Sequence, residues 1–287
     1  MGTSAGTGRE LLADRSGALH AGTRNGAARR LPARHRGVSE TAPLSLLHVD
    51  EELLVVAKPA RLLAHASRIA ADVDDDLLDQ LRRQFGDTVN LVHRLDRATS
   101  GLVLAARTRE SASDLGKQFM ARTIEKRYLA VCRGWPDESG EIDYPLGDVR
   151  PNSPRKPALT RYRRLATVEV PIALGRYPQQ RYALMAVDPE SGRHRQIRKH
   201  FHHISHHLIG DTSHGRTEHN RLFQREWQVS RLLLHAQQLA FTHPASGERL
   251  VFSAPLDDEF QRVLDAFGWS DYHRHTPACG VPRWFAQ

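Results

Sequence analysis

The stretch His93-Arg94-Leu95-Asp96-Arg97-Ala98-Thr99-Ser100-Gly101 decides how this chain is read. Apolar runs flank it at 89–92 and 102–106, and both have the composition of strands. A polar loop is thus held at the edge of a core, where catalytic groups tend to sit. Asp96 lies between Arg94 and Arg97, with two hydroxyls and a glycine just after it. A nearby guanidinium favours the charged form of a carboxylate. The hydroxyls and a glycine turn can orient it. An ionised, oriented carboxylate can act as nucleophile or general base. An Asp that merely closes a turn through local backbone hydrogen bonds fits the spacing equally well.

Outward from this loop the pattern is strand-rich. Runs at 45–49 and 53–58 flank Asp50-Glu51-Glu52 as a hairpin, and Pro59 stops the second. Asp74, Asp75 and Asp76 cap a helix over 77–85 that Gly86 ends. Thr108 caps a helix over 110–121, and 126–133 is a strand with Tyr128, Ala130 and Cys132 on one face. Five prolines make 134–158 mostly loop. Strands follow at 159–170 and 181–188, then a helical pattern at 194–207. A hairpin spans 238–243 and 249–253, and an amphipathic helix covers 257–267. No βαβ alternation with a glycine-rich phosphate loop occurs. Hairpin-linked strands with few helices predict an α+β fold.

Composition bounds the function. The chain has 287 residues, 40% of them hydrophobic, enough for a real core. No apolar run approaches the ~18 residues of a membrane helix, so no membrane role is expected. Two cysteines exclude a disulfide framework and a four-thiolate zinc site. A reducing, cytoplasmic setting is expected. The net charge of +8 suggests a polyanionic partner, nucleic acid first. Half of that charge sits in residues 1–43, which hold seven Arg against three acids. That segment reads as a disordered basic extension: an RNA-binding arm, a floppy or organelle-type leader, or an over-long reading frame. Residues 271–287 read as a tail.

HRLDRATSG resembles the signature loop HRLDxxTSG of the RluA-type pseudouridine synthases at all seven fixed positions. LLVVAKPARLLAH (53–65) resembles the family's early strand and loop, with Ala57 where Asn is usual. Lys126-Arg127-Tyr128, the segment 192–198, Gly210-Asp211 and Leu234-His235-Ala236 match further motifs in order. The resemblance covers about 44–269. Stretches 158–187 and 207–215 are similar to the branch of the family that acts on uridine 65, on the acceptor-stem side of certain tRNAs. In one place the chain departs: Arg195 stands where the family has His, and His194 lies one place earlier.

The resemblance implies a pseudouridine synthase fold, a large mixed, mainly antiparallel sheet with flanking helices and a central active-site cleft. It places the catalytic domain at 44–270. It implies an isomerase that moves uracil from an N1–C1′ to a C5–C1′ bond with no cofactor and no metal. Asp96 becomes the essential group, attacking C1′ or removing the 2′-proton. Arg198 pairs with it, and Tyr128 stacks on the uracil and handles protons. Arg94 braces the gap left by an extruded base, and Leu234 lines the pocket. His93 and Arg193 join the RNA-binding surface. The partner is tRNA, and the protein is expected to be a monomer. A ribosomal-RNA enzyme and an inactive RNA-binding protein are the alternatives.

Two clusters invite other readings. Arg193, His194, Arg195, Arg198 and Lys199, with Arg161, Arg163 and Arg164, fit phosphate contacts on A-form RNA, or a solvated basic face. His200, His203 and His207 have a spacing that zinc can use, yet no HExxH occurs. Packing and RNA-backbone contacts are the expected roles, and a chelator is expected to have no effect.

Overall fold

The computed structural model describes residues 44–65, 75–148 and 153–271. The basic segment 1–43, Asp74 of the acidic cap and the tail beyond Asp271 lie outside the described residues. In chain order the elements begin β1 (Ser45–Val49), β2 (Leu53–Lys58), α1 (Leu77–Phe85), β3 (Asn90–Leu91), β4 (Ser100–Ala106) and α2 (Arg109–Ala121). Next come β5 (Glu125–Arg133), β6 (Ser139–Asp143), β7 (Leu159–Val170), β8 (Gln180–Pro189) and α3 (Gln196–His203). The last are α4 (Thr217–Trp227), β9 (Leu234–Thr242), β10 (Arg249–Ser253) and α5 (Asp258–Ala266).

The strands form one sheet in the order β1-β2-β4-β9-β5-β8-β7-β6, with β3 on β4 and β10 on β9. Its pairings are antiparallel except β4 with β9, which run parallel through Ser100↔His235 and Gly101↔Ala236. Strands buried on both faces read as continuous apolar runs, and β4 is buried at every residue.

Period-2 alternation sends side chains to two covered faces. Leu54 and Val56 of β2 pack with Leu77 and Leu81 of α1, while Leu53 and Val55 pack with Leu115 of α2. Ala130 and Cys132 of β5 meet Ile197 and Phe201 of α3. Leu129 and Val131 meet Leu222 and Phe223 of α4 and Phe260 and Val263 of α5. Each fully buried Leu, Val or Phe among them contributes about 1.5–3 kcal/mol. Tyr128 packs against both the α1 and the α3 clusters, at the seam between them.

The helix starts follow capping chemistry. Asp76 accepts from the Asp79 N–H, Thr108 from Ser111 and Asp257 from Phe260. Asp75 of the acidic triplet pairs instead with Arg83.

One expectation needs correction. The helical pattern at 194–207 yields only α3, because Arg195 is left-handed (φ 54°) and Ser205 is too (φ 64°). The described part of the proline-rich segment 134–158 is mostly loop, as expected, and also carries β6, an edge strand on β7. Helix α4 matches no sequence signal named above, and its N-terminus has no side-chain cap to betray it.

Candidate active site

The loop between β3 and β4 is fixed from three sides. The Thr99 N–H donates to the Asp96 carbonyl and closes a turn. Buried Lys58 donates from Nζ to the carbonyls of Pro59 (2.7 Å), Leu62 (2.9 Å) and Arg97 (3.5 Å), tying two loops together. The Arg61 N–H donates to the Arg97 carbonyl, and Arg97 Nε returns a bond to the Arg61 carbonyl. Burial, with Arg231 adding, pulls Lys58 down to about 7, while the charge of Asp96 opposes this.

The third side is Ser100. Arg231 Nη1 donates to Ser100 Oγ at 2.8 Å, so the hydroxyl proton points to His235 Nδ1 at 2.7 Å. That leaves the His235 proton on Nε2, facing the Ala254 carbonyl. Arg231 also pairs with Asp257, so the signature loop is braced on the start of α5.

Gly101 explains why a glycine ends the motif. Its φ is +110°, and a Cβ there would lie 2.2 Å from the Ala236 carbonyl oxygen. Only glycine lets β4 approach β9 this closely. Gly210 is held in the same way, φ +78° with a Cβ position 1.8 Å from the Arg231 carbonyl oxygen. It places Asp211 one residue on.

Asp96, Arg198 and Asp211 then meet. Arg198 Nη1 donates to Asp96 Oδ2 at 3.0 Å. Its Nε and Nη2 grip Asp211 Oδ2 and Oδ1, both at 2.7 Å. The Arg198 side chain is 5% exposed and that of Asp96 22%. Burial opposes the Arg198 charge, but Asp211 and Asp96 outweigh it and hold its pKa above the ordinary value. Burial likewise opposes the Asp211 charge, but Arg198 and the N–H groups of His214 and Ser213 hold its pKa low. Arg198 sits on α3, whose first turn is fixed by Gln196 rather than a cap. Gln196 Oε1 accepts from Ser191 Oγ and the Arg193 N–H, and its Nε2 donates to the Leu159 carbonyl.

A cleft of about 480 Å³ opens at this point, within the ~300–1,000 Å³ range of ligand pockets. Asp96, Tyr128, Arg198, Arg94, Arg193 and Leu234 all line it. Tyr128 follows a bulge in the β5–β9 pairing, which re-aims its side chain. Burial, with the charge of Asp96 adding, raises its phenol pKa, so the hydroxyl stays protonated. Arg94 is exposed at the rim, with Nη1 3.1 Å from His65 Nε2. Leu234 is 3% exposed and belongs to the α3 cluster.

His93 also borders the cleft, but its Nε2 accepts from the Leu104 N–H at 3.0 Å and its ring packs on Phe119. Burial, with Lys126 adding, pushes it down to about 3, which suits a neutral imidazole facing the sheet. The basic run is also less open than its sequence suggests. Arg161 is held by Glu141 and Glu190, and Arg164 donates to the Pro136 carbonyl. The histidines have structural partners: His200 reaches Thr160 Oγ1 and the Tyr144 carbonyl, His203 stacks on Tyr144, and His207 Nδ1 donates to the His214 carbonyl. Among the described residues no three His, Cys, Asp or Glu side chains are placed to hold a metal ion. No described helix is long and apolar enough to cross a membrane.

Asp211, Lys58 and Arg231 are the site-forming residues to which motif reading assigned no role. Each lies in or beside a matched motif, but only the fold shows what it touches.

Comparison with known proteins agrees with this architecture. The family described as RNA pseudouridylate synthase matches residues 52–203. The chain is 39% identical over 237 residues to tRNA pseudouridine synthase C of Vibrio cholerae, covering 79% of this chain and 97% of that one. The protein of the same name from Yersinia pestis is 39% identical over 248 residues, covering 83% and 96%. That from Pectobacterium carotovorum is 40% identical over 241 residues, and the match spans 81% of this chain but 64% of its length. Among solved structures, human RNA Pseudouridylate Synthase Domain Containing 1 superposes with a TM-score of 0.59 at 26% identity, covering 78% of this chain and 87% of that one. Human RNA Pseudouridylate Synthase Domain Containing 4 shares the fold at a TM-score of 0.60 and 22% identity, covering 78% and 93%. With a sheet, a signature loop and relatives that agree, the chain belongs to the RNA pseudouridylate synthase family.

Proposed function

We propose that this protein isomerises uridine to pseudouridine in tRNA, at uridine 65, with Asp96 as the catalytic carboxylate. The observation that carries the reading is the pairing of Asp96 with Arg198 in a cleft of nucleoside size. A carboxylate with 22% of its side chain exposed can reach substrate while Arg198 fixes its direction. Residues 44–270 form the catalytic domain, with 1–43 a basic extension and 271–287 a tail. The protein acts as a cytoplasmic monomer.

The reaction breaks the N1–C1′ bond and forms a C5–C1′ bond. Asp96 either adds to C1′, as in a retaining glycosidase, or takes the 2′-proton to give a glycal. After the uracil turns, C5 joins C1′: on the first route the Asp96–C1′ bond breaks as it does so, and on the second Asp96 returns the proton to C2′. Either route then releases the C5 proton and leaves N1 protonated. The Tyr128 ring supplies a face for the uracil, and its protonated hydroxyl can pass a proton late in the sequence. A uridine in a stem must leave the stack, and Arg94 at the rim is placed to fill the gap. Leu234 gives the apolar wall. Arg193 and the positive face of α3 meet phosphates.

The tRNA target follows from the names of the relatives and from stretches 158–187 and 207–215. It is tested with unmodified tRNA transcript and a ribosomal RNA fragment, mapping the new pseudouridine at nucleotide resolution. Modification at uridine 65 of the tRNA alone supports the assignment. Modification of the ribosomal fragment alone keeps the chemistry and overturns the substrate.

A further inference from the structure

We infer that a second cleft, at the far end of the sheet from Asp96, holds another stretch of the same RNA. The inference rests on the RNA-modifying reading above. Strands β5 and β8 run from one cleft to the other. Tyr128 lines the first and Arg133, later on the same strand, lines the second. At ~3.3 Å per residue they are about 17 Å apart. An RNA helix of ~16 base pairs can be spanned by one protein domain, so a single RNA arm is long enough to reach both clefts.

The second cleft has a volume of about 440 Å³, and Arg133, Arg181, Tyr177 and His206 line it. Its chemistry suits nucleic acid. Tyr177 is 46% exposed and neighbouring Trp135 40%. Each ring carries a guanidinium over its face, Arg176 at 4.9 Å from the Tyr177 centroid and Arg181 at 4.4 Å from that of Trp135. Aromatic rings and guanidinium planes are the surfaces on which unpaired bases stack. The acid in the lining, Glu169, is held by Arg181 at 2.5 Å.

One segment of net positive charge reaches both clefts. The first residues of α3 line the active-site cleft, and Ser205 and His206 just beyond its end line the second. Residues 192–216 hold Arg193, Arg195, Lys199 and Arg216 beside the buried Arg198–Asp211 pair, whose charges offset each other. Asp211 is buried against Arg198 and presents no negative charge to a ligand. A phosphate backbone can therefore follow this segment from one cleft to the other without meeting a surface carboxylate of the segment.

The test is filter binding of a full-length tRNA transcript to wild type and to the triple variant Arg133→Gln, Arg181→Gln, Tyr177→Ala, over a series of salt concentrations. The expected result is a Kd raised about tenfold or more. The log Kd–log salt slope should become shallower by about one to two, because each lost phosphate contact removes ~0.7 on single-stranded RNA and ~0.9 on a duplex. An unchanged Kd overturns the proposal, and so does a weaker Kd with an unchanged slope. Tyr177→Ala alone removes an exposed ring and keeps the test open should the triple variant unfold. It should raise Kd about threefold, and no change there overturns the stacking role. Binding is read directly, so a wild type that binds tRNA but forms no pseudouridine counts against the proposed activity and not against this cleft.

Discussion

Arg198 gives Asp211 two hydrogen bonds of 2.7 Å and Asp96 one of 3.0 Å. The arginine is thus clamped by a carboxylate that is 1% exposed and offers its remaining edge to one that is 22% exposed. Asp211 is the anchor of this arrangement and Asp96 is the group left facing the cleft.

The clamp predicts a split phenotype. Asp211→Ala strands a buried guanidinium, and breaking a buried pair costs about 3–5 kcal/mol, read as a lower urea midpoint. Asp211→Asn keeps an acceptor and folds better. It should lower kcat about tenfold or more with little change in RNA affinity, because Arg198 loses its fixed orientation. A wild-type kcat in Asp211→Asn would show that Asp211 serves folding alone.

Gly101 should tolerate no side chain. Gly101→Ala places a methyl within 2.2 Å of the Ala236 carbonyl at φ +110°. Backbone strain alone costs ~1–3 kcal/mol, and the clash separates β4 from β9 at Ser100 and Gly101. Thermal unfolding should drop sharply or soluble protein should be lost. A midpoint within a degree or two of wild type would mean the strands can part at no cost.

Acid should destabilise the fold well above the carboxylate range. Burial, with Arg231 adding, pushes His235 down to about 4, and burial, with Arg133 adding, does the same for His219. Unfolded imidazoles titrate near ~6.5. Between those values the unfolded chain binds protons that the folded chain refuses. The stability is fully present above the unfolded value and falls as pH drops toward the folded one. Each group contributes a slope of about 1.4 kcal/mol per pH unit in that window. Urea midpoints measured from pH 7 to 4 should show this, and His235→Gln should flatten the curve.

Arg94→Ala separates base extrusion from chemistry. On a paired target uridine the rate should fall about tenfold to a hundredfold, ~1.4–2.8 kcal/mol of barrier. With the same uridine unpaired in a bulge, the deficit should shrink. An equal loss on both RNAs would give Arg94 a role other than filling the stack.

The sequence made local structure legible where chemistry is local. Alternation put Tyr128, Ala130 and Cys132 on one face, and Ala130 and Cys132 share a cluster against which Tyr128 packs. Asp76 and Thr108 marked helix starts that the fold uses. Helix α4 was hidden because nothing caps it, and β6 because prolines surround it. The Asp96–Arg198 partnership spans 102 residues, so no spacing rule reaches it, and only motif resemblance brought the two together. Asp211 was visible as part of a Gly-Asp pair, but its grip on Arg198 depends on α3 packing beside the Gly210 turn. His93 shows the reverse case, a motif residue whose ring nitrogen serves the sheet.

The most direct measurement is tritium release from tRNA transcript labelled at uridine C5, comparing wild type with Asp96→Asn. Forming the C5–C1′ bond expels the C5 hydrogen, so release reports the reaction itself. Wild type should release tritium, and Asp96→Asn should fall by more than about a thousandfold while still binding the RNA. Release by Asp96→Asn at the wild-type rate would contradict the assignment of Asp96 as the catalytic carboxylate.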